Sequence, residues 1–124
     1  MAAQSPVPKI VEKPWGREIW FAHNEQYAGK ILEVKAGKRL SLQYHKMKHE
    51  TMYLLQGRMS FVSGNDVERP DELSREEFAA PRTIIIPPHT IHRVEAIDDI
   101  VLVEVSTPQL DDVVRLSDDY GRSG

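Results

Sequence analysis

Short hydrophobic runs, broken by turn residues, follow one another along almost the whole chain. The runs are rich in Val, Ile, Leu, Tyr and Phe, and Gly, Pro, Asn or Asp separate them, which is typical of β-strands joined by turns. They span residues 18–23, 30–37, 39–45, 50–57, 58–64, 82–88, 92–96 and 100–106. Many short strands at close spacing predict a β-sandwich or a small barrel. The chain shows no βαβ rhythm and no glycine-rich phosphate loop.

One polar stretch interrupts this pattern. Residues 63–81, with the sequence SGNDVERPDELSREEFAAP, are highly charged. Within them Ser74 is followed three residues later by Glu77, which resembles the capping box of a helix. We therefore expect a charged surface insertion that contains one or two helical turns.

The composition narrows the classes of function. The formal net charge of −3 disfavours a nucleic-acid partner, and no apolar run approaches the roughly 18 residues of a membrane helix. The N-terminus has no apolar stretch of signal-peptide length, so we expect a cytoplasmic protein. The 124 residues fit one domain, which we expect at 11–122 between an arm (1–10) and a tail (123–124).

Polar residues that could bind a metal fall in two short windows. In SLQYHKMKHET (41–51), Gln43 and His45 share one face of a predicted strand, and Glu50 begins the next strand. In TIIIPPHTIHRVEA (83–96), two histidines follow a Pro-Pro pair that ends the strand. Four of the five histidines thus lie in these windows, and no cysteine is present. A site of His, carboxylate and amide ligands is one interpretation, and chance clustering is the alternative.

The spacing in the first window resembles the first motif of the cupin superfamily. That motif reads Gly, five residues, His-x-His, three or four residues, Glu, six residues and Gly. The intervals are matched here by Gly37, Gln43, His45, Glu50 and Gly57. The difference is that Gln43 stands where the first histidine usually stands.

The second window resembles the second cupin motif, which reads Gly, five residues, Pro-x-Gly, two residues, His, three residues and Asn. The intervals are matched here by Pro81, Pro87, His89, His92 and Ala96. Pro81 and His89 replace glycines, and Ala96 replaces the asparagine. The resemblance implies an all-β fold, a single-domain cupin with a small jelly-roll β-barrel, and a homodimer.

Longer stretches resemble the type II phosphomannose isomerase domain in particular. They are EKPWG (12–16), LSLQYH (40–45), IIIPPHTIHR (84–93) and LVEVSTPQLDDVVRLSDDYGR (102–122). The likeness runs from about residue 11 to 122. It implies a metal-dependent isomerase that interconverts an aldose phosphate and a ketose phosphate, in the class of mannose 6-phosphate and fructose 6-phosphate.

The resemblance also implies roles for individual residues. One divalent metal would be bound by Gln43, His45, Glu50 and His92. Zinc is expected, and Mn, Fe, Co and Ni also suit nitrogen and oxygen ligands. His89 is the candidate base, with an exposed loop histidine as the alternative.

Further residues of the resemblance suggest substrate contacts. Lys48 stands where the family carries arginine and is a candidate catalytic or phosphate-binding group, with a surface lysine as the alternative. The candidate substrate-binding residues are Arg93, Arg115, Tyr120 and Arg122, together with Asp119. A structural C-terminal tail is the alternative for this segment, and Arg93, next to a ligand on a strand, has solvent exposure as its alternative.

Two other functions stay open. The family typically carries His-His-His-Arg-Ala-Glu-His-Trp around the glutamate, whereas this chain has HKMKHETM at 45–52. The alternatives are therefore a metal cupin of other chemistry, such as oxygen-dependent cleavage, or a non-catalytic sugar-binding cupin.

Overall fold

The alternation of apolar and polar residues along the chain produces strands that bury one face. The computed structural model describes residues 2–122, and within them it shows eleven β-strands and no helix. The strands are β1 (Lys9–Lys13), β2 (Gly16–His23), β3 (Ala28–Val34), β4 (Leu42–Tyr44), β5 (Glu50–Gln56), β6 (Arg58–Gly64), β7 (Ser74–Ala79), β8 (Arg82–Ile86), β9 (Ile91–Ala96), β10 (Ile100–Ser106) and β11 (Val114–Ser117). Accordingly, this part of the chain has no helix that is long and apolar enough to cross a membrane.

The strands form two antiparallel sheets. Sheet A has the order β1-β2-β3-β10-β5-β8, and sheet B has the order β11-β4-β9-β6-β7. Because β4 and β5 are consecutive in sequence but belong to different sheets, the connection between them crosses from one sheet to the other. This all-β, two-sheet architecture confirms the fold class predicted from the sequence.

The core lies between the two sheets. Along β10, Ile100 and Leu102 are buried, whereas Val101 and Val103 between them are only partly buried, as expected when alternate residues face inward. Both sheets contribute large side chains to a single cluster. Its members include Trp15, Leu32, Leu54, Met59, Phe61 and Phe78.

The helical turns predicted within residues 63–81 are wrong. Residues Ser74–Ala79 form β7, which pairs with β6 along its whole length. Phe78 lies opposite Met59 and is buried, so the burial of one aromatic side chain outweighs the local capping pattern. The charged residues of β7 are exposed, as is common on an edge strand.

The described residues span the domain predicted at 11–122 and most of the arm predicted before it. β1 begins at Lys9, within the predicted N-terminal arm, and the tail predicted at 123–124 lies outside the described residues. The boundaries of the single domain stay a prediction.

Two glycines of the first motif occupy turns with positive φ. Gly37 has φ 81° and Gly57 has φ 90°. A Cβ added to Gly57 would lie 2.6 Å from the carbonyl oxygen of Asp99, whereas a Cβ on Gly37 would meet nothing within 4 Å. Gly57 is therefore required both for its backbone conformation and for the close approach of the loop between β9 and β10.

Candidate metal centre

Three strands bring the ligand residues of both windows together. Gln43 on β4 lies directly opposite His92 on β9 in sheet B. His45 follows β4 immediately, and Glu50 begins β5 in sheet A. The short connection between β4 and β5 therefore lets residues of both sheets converge on one point inside the molecule.

His45, Glu50 and His92 form a buried group that could hold a metal ion. One ligand atom from each residue lies within 4.8 Å of the other two. Glu50 Oε1 is 3.2 Å from His92 Nε2 and 3.7 Å from His45 Nε2. All three side chains are almost inaccessible, with Glu50 only 2% and His92 only 1% exposed.

The outer nitrogens of the two imidazoles are fixed by backbone carbonyls. His92 Nδ1 lies 2.9 Å from the Thr90 carbonyl oxygen, and His45 Nδ1 contacts the Asp112 carbonyl oxygen. A carbonyl only accepts hydrogen bonds, so in the neutral imidazoles these nitrogens carry the proton. Each Nε2 then presents a lone pair towards Glu50.

This arrangement fits a cation. Among the described residues, Glu50 Oε1 and His92 Nε2 are buried polar atoms without a hydrogen-bond partner, whereas Glu50 Oε2 faces the Lys48 ammonium. Lone pairs that face a carboxylate are unfavourable by themselves, and a positive ion between them removes the conflict. The structure thus supports a metal ion at this group, and the donor set of two nitrogens and one oxygen does not determine which metal.

Gln43 is positioned as a fourth ligand. Directly opposite residues of an antiparallel pair share a face, so its amide lies on the same face of sheet B as His92. Its Oε1 accepts a hydrogen bond from Ser41 Oγ at 3.2 Å. The role of Gln43 as a ligand stays a prediction.

Lys48 lies inside the barrel and not on the surface. It is 4% exposed, and its Nζ is 2.9 Å from Glu50 Oε2 and 3.3 Å from Glu104 Oε2. Burial by itself would lower the pKa of Lys48, but Glu104 and Glu50 raise it above its usual value. Lys48 is therefore charged at neutral pH.

One lysine cannot neutralise two buried carboxylates, and the pKa values of Glu50 and Glu104 shift in opposite directions. Burial opposes ionisation of Glu50, but hydrogen bonds from Nε2 of His45 and His92, when the metal-free imidazoles are protonated, and the charge of Lys48 hold its pKa well below the usual range. Burial, reinforced by the charge of Glu50, raises the pKa of Glu104 to about 7 although Lys48 acts against it. Glu50 is thus ionised, while Glu104 exchanges its proton near neutral pH.

The charged interior continues beyond Glu104. Lys30 lies opposite Glu104 in the pairing of β3 with β10, and its Nζ is 3.3 Å from Glu18 Oε1. Trp20 Nε1 donates to the same Glu18 oxygen at 2.8 Å. We did not predict these residues. The signal in the sequence was a charged residue at an inward position of an otherwise apolar strand, as with Lys30 before Leu32.

Asp112 holds the connection that carries the ligands. Its carboxylate accepts hydrogen bonds from the backbone N–H groups of Lys46, Met47 and Lys48, at 3.2, 2.7 and 3.0 Å. Burial would raise the pKa of Asp112, but these three donors outweigh it and lower the pKa. Because its carbonyl also contacts His45, Asp112 fixes both the backbone of the connection and one imidazole.

His89 stands at a motif position that is usually glycine, and its backbone has the positive φ that favours glycine. Its φ is 62°, and its backbone N–H donates to the His45 carbonyl at 2.7 Å. The side chain is exposed, with its ring centroid 6.3 Å from that of Tyr44. His89 is therefore adjacent to a ligand through its backbone, and its role as a base stays a prediction.

Two predicted substrate-binding residues are engaged in the fold. Arg93 is buried, and it donates to the carbonyl oxygens of Leu40 at 2.9 Å and Ser117 at 3.2 Å. The Tyr120 hydroxyl donates to the Arg39 carbonyl at 3.1 Å. Both contacts attach the C-terminal segment to sheet B, which agrees with the structural alternative for this segment.

Arg115 and Arg122 instead lie near Gln43, the predicted fourth ligand. Arg115 lies opposite Gln43 in the pairing of β11 with β4. Both arginines, together with Gln43 and Lys13, line a cavity of about 50 Å³. Burial lowers the pKa of Lys13, and the charges of Lys30, Arg122 and Arg115 lower it further against the opposing effect of Glu18. Glu18 also lines this cavity, so three basic side chains face one carboxylate next to the candidate ligand Gln43.

A larger cleft lies away from this chemistry. It has a volume of about 580 Å³ and is lined by residues that include Arg17, Glu33 and Asp99. None of the metal-group residues lines it, and we assign the chemistry to the buried group because that is where ligand atoms converge.

The chain is similar to known proteins over nearly its whole length. Residues 3–118 match the family model described as the C-terminal part of mannose-6-phosphate isomerase. The chain is also 31% identical over 121 residues to a mannose-1-phosphate guanylyltransferase of Escherichia coli (strain K12). That match covers 94% of this chain but 24% of the relative, so the chain spans about a quarter of that protein.

Solved structures share the fold at lower sequence identity. CapF of Staphylococcus aureus, which assembles capsular polysaccharide, has a TM-score of 0.73 and 17% identity, covering 91% of this chain and 35% of its own. KdgF of Halomonas sp. has a TM-score of 0.70 and 16% identity, with 84% and 91% covered. Bacillus subtilis oxalate decarboxylase, which has Mn(II) centres, has a TM-score of 0.71 and 18% identity, with 87% and 30% covered. The chain is therefore a cupin and belongs to the mannose-6-phosphate isomerase C-terminal family.

Proposed function

We propose that this cupin is a metal-dependent isomerase that interconverts an aldose phosphate and a ketose phosphate of the mannose 6-phosphate and fructose 6-phosphate class. One observation carries the proposal. Arg115, Gln43 and His92 lie side by side across three strands of sheet B, so the metal group and a positively charged cavity are adjacent. A sugar phosphate needs both, and the family match supports this substrate class.

The residues at the metal group suit a borderline divalent cation. Two imidazoles, one carboxylate and one amide favour zinc, with Mn, Fe, Co and Ni as alternatives. When bound, the metal would act as a Lewis acid that polarises a substrate oxygen. The Nδ1 contacts of the two imidazoles, and the hydrogen bonds that the Asp112 carboxylate accepts from the β4–β5 connection (the Asp112 clamp), hold the ligands in place before a metal binds.

Proton transfer between neighbouring carbons needs a base and a group that stabilises the negative charge on oxygen. In this proposal charged Lys48, next to Glu50, donates hydrogen bonds to that oxygen, and Glu104 holds the ammonium in place from its other side. His89 acts as the base in this proposal. Its backbone N–H donates a hydrogen bond to the carbonyl of the ligand His45, which keeps the residue beside the metal group.

The positively charged cavity would bind the phosphate. Arg115 and Lys13 are the main contacts in this proposal, because both line the cavity beside Gln43. Arg93, Asp119 and Tyr120 hold the C-terminal segment, which carries Arg115 and Arg122, against sheet B. A guanidinium suits phosphate because it offers parallel N–H donors.

The test combines metal analysis with an activity assay. The full chain is purified, its metal content is measured, and conversion of mannose 6-phosphate to fructose 6-phosphate is followed with and without a chelator. We expect bound metal and chelator-sensitive turnover. His92→Ala should lose the metal, while His49→Ala, an exposed histidine of the β4–β5 connection, should keep it.

A second variant tests the phosphate site. Arg115→Ala should raise the KM for the sugar phosphate while the metal content stays unchanged. Bound metal without turnover of any sugar phosphate would contradict the isomerase and favour a cupin of other chemistry or a sugar-binding cupin. Unchanged metal content in His92→Ala would contradict the ligand assignment itself.

A further inference from the structure

A buried carboxylate shares the small cavity beside Gln43 with basic side chains. Glu18 on β2 is 7% exposed, and its partner on β3 is the core residue Leu32, so its side chain points into the barrel. The cavity that Glu18 lines is also lined by Lys13, Arg115 and Arg122. A phosphate group alone does not call for this carboxylate, because two negative charges repel each other. The cavity is therefore suited to a ligand that brings more than an anion.

Two donors fix the orientation of the Glu18 carboxylate. Trp20 Nε1 donates to Glu18 Oε1 at 2.8 Å, and the Lys30 ammonium lies 3.3 Å from the same oxygen. Within residues 2–122, both hydrogen bonds that the Glu18 side chain accepts end on Oε1. The other oxygen, Oε2, therefore keeps its capacity to accept a hydrogen bond from a ligand.

The remaining charges of the cavity favour an anion. Burial lowers the pKa of Lys13, and the positive charges of Lys30, Arg122 and Arg115 lower it further, although Glu18 acts against them. An anion bound among these groups would offset their mutual repulsion. A ligand that satisfies the whole cavity thus carries an anionic group and, close to it, a hydroxyl that donates to Glu18.

An open-chain sugar phosphate has this pair of groups. In the open-chain form of a hexose 6-phosphate, the carbon next to the phosphate-bearing carbon carries a hydroxyl, which donates a hydrogen bond. In the cyclic aldose and ketose phosphates the same oxygen closes the ring and only accepts, as a carboxylate oxygen does. The cavity volume of about 50 Å³ is less than twice the about 30 Å³ that one water molecule occupies in the liquid. That volume suits the end of an extended chain and not a whole sugar ring.

We propose that Glu18 is a specificity-determining residue that selects the open-chain form of the sugar phosphate. Its Oε2 accepts a hydrogen bond from the hydroxyl next to the phosphate-bearing carbon. This assignment rests on the proposed function for its substrate class. Isomerisation needs the carbonyl group that the open-chain form carries, so the selection holds the reactive form next to Gln43 and the metal group.

Isothermal titration calorimetry of the full chain with two unreactive ligands tests the proposal. Mannitol 6-phosphate is an open chain, whereas 1,5-anhydromannitol 6-phosphate is locked as a ring. We expect the wild type to bind the open-chain ligand more tightly by about tenfold or more, as one charge-assisted hydrogen bond provides.

Glu18→Gln should reduce this preference by about 10–100-fold. The amide oxygen of the variant can keep the contacts with Trp20 and Lys30, so that the amide NH₂ group takes the place of Oε2. A donor then faces the ligand, which favours the ring oxygen over the hydroxyl. Glu18 acting only through the fold would instead change the affinities for both ligands by the same factor.

Two further variants make the test specific. Glu33→Gln is the matched control, because Glu33 also pairs with a basic residue, Arg17, but does not line this cavity. It should keep the wild-type preference. Trp20→Phe keeps the carboxylate but removes one donor to Oε1, and it should lower the preference by about threefold. This variant also keeps the test decisive if circular dichroism shows that Glu18→Gln does not fold.

The outcomes separate this assignment from the isomerase itself. A wild type that binds both ligands without preference would overturn the role of Glu18 alone. So would an unchanged preference in both cavity variants, or an equal loss of affinity for both ligands in Glu18→Gln. Failure of the wild type to bind either ligand would overturn the phosphate site and the proposed function with it. A preference that depends on Glu18, without turnover in the activity assay, would support the assignment and contradict the isomerase.

Discussion

Replacing Lys48 by methionine removes the only lysine or arginine charge that contacts Glu50 within residues 2–122. Lys48→Met keeps the length and the apolar stem of the side chain but deletes the ammonium. Glu50 and Glu104 then share the interior without the group that lies 2.9 Å from one and 3.3 Å from the other. The metal-free protein should be less stable as a result.

The magnitude follows from the burial of the partners. Removing one member of a buried ion pair typically costs about 3–5 kcal/mol, because the other charge stays buried without compensation. Glu104 relieves part of this cost by holding its proton, since its pKa is already about 7. Glu50 cannot do so cheaply, because its contacts with His45 and His92 remain and still oppose its protonation. We therefore expect a loss of about 3 kcal/mol, a large part of the about 5–15 kcal/mol of a typical domain.

Urea unfolding at pH 7 with a chelator present measures this loss. Lys46→Met is the matched control, because Lys46 lies two residues away in the same connection and is exposed. Its loss should stay within about 0.5 kcal/mol. Adding a divalent metal should restore most of the stability of Lys48→Met, since the ion supplies the missing charge. Equal stability of the two variants without metal would refute the buried ion pairs.

Two further predictions concern a buried acid and a turn. Unfolded glutamate loses its proton near pH 4.5, whereas folded Glu104 keeps it until about pH 7, so between these values the folded state binds more protons and stability falls as pH rises. Urea unfolding of Glu104→Gln should therefore show a stability relative to wild type that rises by about 2–3 kcal/mol between pH 4 and 8, and a flat difference would contradict the raised pKa. In thermal and urea unfolding, Gly37→Ala should lose about 1 kcal/mol from its positive φ alone. Gly57→Ala should lose clearly more, because its Cβ also meets the Asp99 carbonyl; equal losses would show that the contact is absent.

The sequence predicted the interior of the fold better than its edges. All eight predicted strands are present as β2–β6 and β8–β10. The three strands that we missed, β1, β7 and β11, are all edge strands. An edge strand pairs on one side only and tolerates charged residues, so its sequence shows little alternation. The SREEFA segment of β7 even imitates a helix start, and only its pairing with β6 determines its conformation.

The candidate site, like the fold, was predicted from the sequence only in part. The motif spacing predicted that His45, Glu50 and His92 lie together. Residues at fixed intervals along paired strands occupy fixed positions in space, so the spacing in sequence indicates proximity in the fold. Lys48 could not be placed in this way, since it lies in an irregular connection where no periodicity tells an inward side chain from an outward one. Asp112 acts through backbone N–H groups over more than sixty residues of separation, and such contacts leave no motif.

The Asp112 clamp sets a limit on how this domain can be cut or rebuilt. All four candidate ligands precede β10, so a truncation after Ser106 would preserve every one of them on paper. The shortened chain would nevertheless lose the carboxylate that orders the β4–β5 connection and the carbonyl that orients His45. Minimal versions, circular permutants and split fragments of this domain therefore need the segment from 107 to 112. Supplied as part of a separate peptide, that segment should bind the shortened domain and order the ligand residues.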